Sequence, residues 1–181
     1  MALSPEQRKR VRRLVDDRWE TEDEFDQFFA SVTDPEELHL FAKEWNWDGG
    51  HEELRKVVRH PLCDLGTALL VYWRGSPGYY LQYASRQEAE PYERPVYGLV
   101  REIERRVKRG AFKTANFRYD PRKDLGSDMT PSRAEVKRYG RDLPAEMYLP
   151  TPRKAAEPNA APDRGGIKRS QGSSSPRRRG R

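Results

Sequence analysis

Apolar residues recur along this chain at helical spacing from the N-terminus to about residue 109. Val11, Leu14 and Val15 follow Ser4-Pro5-Glu6-Gln7, which reads as a capping box with proline at the first helical position. That helix is expected to reach about Trp19. A second starts near Thr21 and places Phe25, Phe28, Phe29 and Val32 on one face. Asp34-Pro35-Glu36-Glu37 reads as another capping box, ahead of Leu38, Phe41, Ala42 and Trp45. Two similar starts follow. Asp48-Gly49-Gly50 precedes Leu54 and Val57, and Asp64-Leu65-Gly66 precedes Leu70 and Trp73. Asp48 and Asp64 are therefore expected as N-caps, with Gly50 and Gly66 allowing a neighbouring helix to come close. His60-Pro61 ends the helix between them, because a residue before proline is pushed out of the α region.

Ser76-Pro77 opens a short helix carrying Tyr79, Tyr80 and Tyr83. Adjacent Tyr79 and Tyr80 cannot both face one core, so one of them is expected at the surface. Val96, Leu99, Val100, Ile103 and Val107 form the stripe of a helix that stops at Gly110. Phe112, Phe117 and Tyr119 suggest a short extended segment. Prolines then interrupt the chain repeatedly, with one modest helix expected from Ser132 to Tyr139, and little after Leu149 has the apolar content for a core. The pattern predicts an all-α fold, a small orthogonal multi-helix domain with at most one short extended segment. It divides as a helical extension (1–33), a helical domain (34–121), a partly ordered segment (122–150) and a disordered basic tail (151–181).

Charge sharpens this division. The 181 residues carry a net charge of +6. From Thr151 onward nine Lys/Arg face Glu157 and Asp163, so this segment holds +7 and the rest is close to neutral. The tail residues Arg177, Arg178, Arg179 and Arg181 are candidate non-specific nucleic-acid contacts, although no aromatic side chains interleave them for stacking on bases. One cysteine, Cys63, excludes an internal disulfide and a CxxC metal site. The N-terminus has no apolar leader and no apolar run approaches membrane-spanning length, so a cytoplasmic setting without membrane contact is expected.

Asn46-Trp47-Asp48-Gly49-Gly50 and His60-Pro61-Leu62-Cys63-Asp64-Leu65-Gly66-Thr67-Ala68-Leu69 resemble the motifs of a bacterial family of small domains of unknown function, the one numbered 4274. Gly110-Ala111-Phe112-Lys113 and Phe117-Arg118-Tyr119-Asp120-Pro121 are similar to its closing segment. The resemblance covers about residues 34–121 and implies a compact, mainly helical bacterial domain. It carries no activity. Gly49 stands where the family tends to have a second Asp, which weakens any reading that needs two carboxylates there.

The chemistry of the chain is sparse. Asp48 and Asp64 are either caps or acids in a cleft. Cys63 with His60 would be a strained thiol–imidazole pair across a proline, and buried cysteine is the simpler expectation. His39, His51 and His60 do not have the spacing of metal ligands. No phosphate loop, nucleophile elbow or HExxH motif is present, and no cofactor is expected. The sequence reading is a non-enzymatic interaction module of adaptor or neutralising type. Its expected contact surface is Trp47, Asp48, Asp64, Tyr79, Tyr80 and Tyr83. Two alternatives stand beside it: nucleic-acid binding through the tail, and an enzyme using Asp48 and Asp64.

Overall fold

The structure is a computed structural model, and it describes residues 3–16, 21, 23–126, 128, 130–141 and 143–151. The basic tail from 152 to 181, including Arg177, Arg178, Arg179 and Arg181, lies outside the described residues. Among those described the fold is all-α, with seven helices and no sheet. They are α1 (Pro5–Val15), α2 (Asp23–Ser31), α3 (Pro35–Glu44), α4 (Glu52–Arg59), α5 (Leu65–Arg74), α6 (Arg94–Lys108) and α7 (Arg133–Arg138). The short extended piece is a single antiparallel bridge between Tyr119 and Thr151. No helix of the described residues is long and apolar enough to cross a membrane.

The Ser4 capping box forms as read: the Ser4 hydroxyl accepts from the Gln7 N–H, and the Gln7 side-chain Oε1 accepts from the Ser4 N–H. α1 stops at Val15, short of the expected Trp19. Asp16 takes the C-cap, where a carboxylate opposes the helix dipole. Asp34 caps α3 by accepting from the Glu36 N–H. The second half of that expected capping box does not form. Glu37 is fully buried and ion-paired with Arg10 of α1. Its position on the α1-facing side of α3 decides this, since α1 and α3 pack directly on each other.

α5 is the central helix. Nine of its ten residues are buried, and it packs against α3, α4 and α6. Side-chain bonds fix the relative directions. His39 of α3 reaches Thr67 near the start of α5, while Arg74 at the end of α5 donates to the carbonyl of Lys43 at the end of α3, so these two helices run in parallel. Arg55 of α4 donates to the Pro95 carbonyl at the start of α6, and Arg59 forms a bidentate pair with Glu102 further on, so α4 and α6 are also parallel. α5 and α6 run in opposite senses, with Leu65 and Val107 lining one cavity at a shared end. The connections α3–α4 and α5–α6 therefore lie at one end of the bundle. The α4–α5 connection, which contains Asp64, lies at the other.

The core runs through all parts of the described chain. Phe25, Phe28 and Phe29 of α2 pack on Phe41 and Trp45, with ring centroids 4.9–6.4 Å apart. The segment after residue 121 joins the same core through Val136, Leu143, Met147 and Tyr148. Trp73 donates its indole N–H to the Met147 carbonyl at 2.8 Å. Thr151, expected as the first residue of the tail, instead belongs to the fold. It is buried and its hydroxyl donates to the Phe117 carbonyl at 2.6 Å.

α7 has the Ser132–Glu135 capping box. It ends in a Schellman motif, in which the Gly140 N–H reaches Lys137 and the Arg141 N–H reaches Val136. Gly140 at φ +68° supplies the left-handed residue this motif needs, and the chain reversal carries Arg141 inward.

Candidate functional site

The two Asp-x-Gly starts, alike in sequence, have different fates. Asp64 caps α5 by accepting the Gly66 N–H on Oδ1 at 2.8 Å. It also accepts the N–H of Phe117 on Oδ1 at 3.3 Å and of Asn116 on Oδ2 at 2.8 Å. The adjacent Leu65 N–H donates to the Thr114 carbonyl. One buried carboxylate thus pins the extended 114–119 segment across the start of α5. Gly66 is what lets this segment in: a Cβ there would lie 2.3 Å from the Phe117 carbonyl oxygen and 2.7 Å from the Thr151 hydroxyl. The close neighbour is an extended segment, and not the helix that the sequence suggested.

Asp48 caps no helix. Asn46 accepts the Asp48 N–H and starts a 3-10 turn over Trp47–Gly49. Gly50 then turns the chain at φ +107°, and α4 begins only at Glu52, with His51 as an N-cap that makes no side-chain bond. Asp48 is thus taken into the 3-10 turn, with Gly50 and His51 between that turn and α4, which is the physical reason it does not cap the helix. The Asp48 side chain is exposed. Asp48 and Asp64 share no hydrogen-bond partner and belong to opposite ends of the bundle, so no two-carboxylate cleft is assembled from them.

His39 lies beside the Asp64 clasp. Its ring stacks on Phe117 with centroids 4.7 Å apart, and Nδ1 meets the Thr67 hydroxyl at 2.9 Å. Burial lowers its pKa to about 4, with the Lys43 charge adding to the effect. Cys63 is buried, and burial pushes its thiol up to about 12, which keeps it protonated. The His60 ring bonds the Phe29 carbonyl and accepts the Leu62 N–H, and the Cys63 thiol faces the Asp64 carbonyl, so the two side chains do not pair and only the Cys63 N–H meets the His60 carbonyl. No group of three or more potential metal-ligating side chains forms among the described residues.

The opposite end carries the exposed aromatics. Tyr79 is half exposed, whereas Tyr80 is buried against Tyr97, as their adjacency requires. The Tyr79 hydroxyl donates to Glu93 Oε1 at 2.5 Å and the Tyr83 hydroxyl to Oε2 at 2.9 Å. The bond from Tyr79, helped by that from Tyr83, holds the Glu93 carboxyl below the usual carboxylate range. Tyr92, next to Glu93, is 78% exposed. Trp47, in the other connection at this end, is half-buried beside His51. Of the six residues expected on a contact surface, Asp64 and Tyr80 are buried. Trp47, Asp48, Tyr79 and Tyr83 remain at or near the surface.

Sequence reasoning missed Tyr92 and Glu93, and it missed a buried ionic network beneath this loop. Glu104 is buried on α6 and pairs with both Arg101 and Arg141. It also accepts from the Tyr72 hydroxyl at 3.2 Å. Arg141 donates to the carbonyls of Tyr80 and Tyr83, at 3.1 and 3.4 Å, and so fixes the tyrosine turn from below. A signal for Glu104 existed: it follows Val100 by four residues, on the apolar stripe of α6.

No curated protein and no solved structure matches the chain. A family match is found over residues 33–108, from just before α3 to the end of α6. It takes in the Trp47 turn, the Asp64 cap and the tyrosine loop, and it ends short of the 114–119 segment that Asp64 holds. This part of the chain, residues 33–108, is a DUF4274 domain, described as a domain of unknown function.

Proposed function

We propose that this chain is a non-enzymatic protein-interaction module of adaptor or neutralising type. Its contact surface is the bundle end formed by the α3–α4 and α5–α6 connections. The observation that carries the reading is the cluster of half-exposed and exposed tyrosines, Tyr79, Tyr83 and Tyr92, held around Glu93 at the same end as Trp47 and Asp48. Partly exposed tyrosines whose rings brace one another and whose hydroxyls are held, as at Tyr79 and Tyr83, offer contact area at small entropic cost, which suits protein recognition. The support beneath them is rigid, because Arg141 and Glu104 tie the loop to the core. Asp64 serves the opposite end as a structural clasp.

A second reading rests on the +7 charge of residues 151–181. It makes the tail a non-specific nucleic-acid contact through Arg177, Arg178, Arg179 and Arg181, with affinity that falls steeply with salt. Affinity capture with the full chain separates the two. The lysate is treated with nuclease, and wild type is compared with a Tyr79→Ser/Tyr92→Ser variant and with a variant carrying serine at the four tail arginines. A protein retained by wild type and by the tail variant, but lost from the tyrosine variant, supports the first reading. Material that depends on the tail arginines and disappears with nuclease supports the second and removes the first.

A further inference from the structure

We propose that the cavity between α7 and the 141–148 segment is a binding site for a small oxyanion, phosphate or carboxylate, carried on an apolar body. The cavity measures about 580 Å³, within the usual ~300–1,000 Å³ range of small-molecule sites. Its walls combine the cations Arg133, Lys137 and Arg141 with apolar Val136, Leu143 and the ring of Tyr148. No carboxylate lines it among the described residues, from which Asp142 is absent. Arg133 and Lys137 stand four residues apart, on one face of α7, and make no ion pair among the described residues. Glu135 of the same helix is turned away, with its carboxylate on the Ser132 N–H. Deeper in, Arg141 and Arg101 share the single carboxylate of Glu104, which leaves one positive charge in excess.

The second, independent observation is Tyr148. The residue is 7% exposed, and its hydroxyl is sealed from solvent with no hydrogen-bond partner among the described residues. A buried hydroxyl left unpaired is unfavourable, and an anionic oxygen is the acceptor it lacks. The guanidinium of Arg133 lies 5.7 Å from the centre of the Tyr148 ring. Arg133 is exposed, so it can move to meet an anion and open the way to the hydroxyl. Arg141 also holds the carbonyls of Tyr80 and Tyr83, so an occupant of this cavity would touch the support of the tyrosine loop.

The test uses the full chain, with phenyl phosphate, benzoate and inorganic phosphate as probes in thermal unfolding and isothermal titration. Wild type should bind phenyl phosphate or benzoate more tightly than inorganic phosphate, and whichever of the two binds better identifies the oxyanion. Arg133→Gln/Lys137→Gln should weaken that binding about ten-fold or more, the loss of a charged hydrogen bond. Tyr148→Phe should raise the melting temperature without ligand, because it removes an unpaired hydroxyl, and should weaken binding several-fold. Absence of binding by all three probes overturns the proposal, and so does binding unchanged in the α7 double variant, which places the anion elsewhere. A fall in melting temperature for Tyr148→Phe without ligand also overturns it, since the hydroxyl would then have a partner already.

Discussion

Replacing Asp64 with alanine should be among the most damaging single changes in the protein, while the same change at Asp48 should do almost nothing. Asp64 is 1% exposed and accepts three backbone N–H groups, from Gly66, Asn116 and Phe117. Alanine strands all three. Loss of the N-cap bond costs about 1 kcal/mol, and each further N–H left unpaired in a buried site costs about 1–3 kcal/mol. Water entering the gap offsets part of this, so the net expectation is about 3–5 kcal/mol, a large share of the ~5–15 kcal/mol that holds a domain together. Asparagine gives an intermediate case. Its oxygen replaces Oδ1 and keeps Gly66 and Phe117, but its NH₂ faces the Asn116 N–H, donor against donor. About 1–2 kcal/mol should be lost. Asp48→Ala, at an exposed position with no cap to lose, should stay within about 0.5 kcal/mol of wild type. Urea denaturation of the four full-length chains measures this order. An Asp64→Ala loss near 1 kcal/mol, about the size of the N-cap bond alone, would refute the clasp and reduce Asp64 to an ordinary cap.

Further outcomes follow from packing and charge. Gly66→Ala should lose about 2–3 kcal/mol by urea denaturation, since its Cβ would meet the Phe117 carbonyl oxygen at 2.3 Å and backbone gives way poorly. Gly98→Ala should stay within about 1 kcal/mol of wild type, because the gain from alanine in a helix is set against a shift of Arg55 Nη2, which lies 3.2 Å from the new Cβ and donates to the Pro95 carbonyl. Arg141→Ala should cost about 3–5 kcal/mol and speed amide exchange around residues 79–83, as it removes a buried partner of Glu104 and the donor to two carbonyls. His39 ionises near 4 in the fold and near 6.5 when unfolded, so the unfolded state takes up the proton first. Its contribution is complete above about pH 6.5 and falls away towards pH 4, by roughly 2–3 kcal/mol. His39→Gln should flatten that part of the stability curve, and parallel curves for the two chains would contradict the assignment.

What the sequence makes legible is local. The Ser4 and Ser132 capping boxes, the stop at His60-Pro61, the buried α5 and the C-terminal glycine after α6 all depend on residues within one or two turns. Asp48 and Asp64 show where this fails. Both precede glycine and a helical stripe, yet the amides that distinguish Asp64 come from residues 52 and 53 positions further on. Glu37 looks like a capping residue until α1 brings Arg10 to it. Glu104 interrupts an apolar face for reasons that reside in Arg141, beyond the apparent end of the core. Exposure is equally non-local. Adjacency alone says that Tyr79 and Tyr80 must part, but the placement of Tyr92 and Glu93 beside Tyr79 depends on how the α5–α6 connection folds back.

The most direct test is a hydrogen-exchange footprint of the full chain bound to the protein it captures from nuclease-treated lysate. The account predicts new protection at residues 45–51 and 79–93, with little change at 60–66 and 114–119. Protection confined to the Asp64 end, or to residues 152–181, would contradict it.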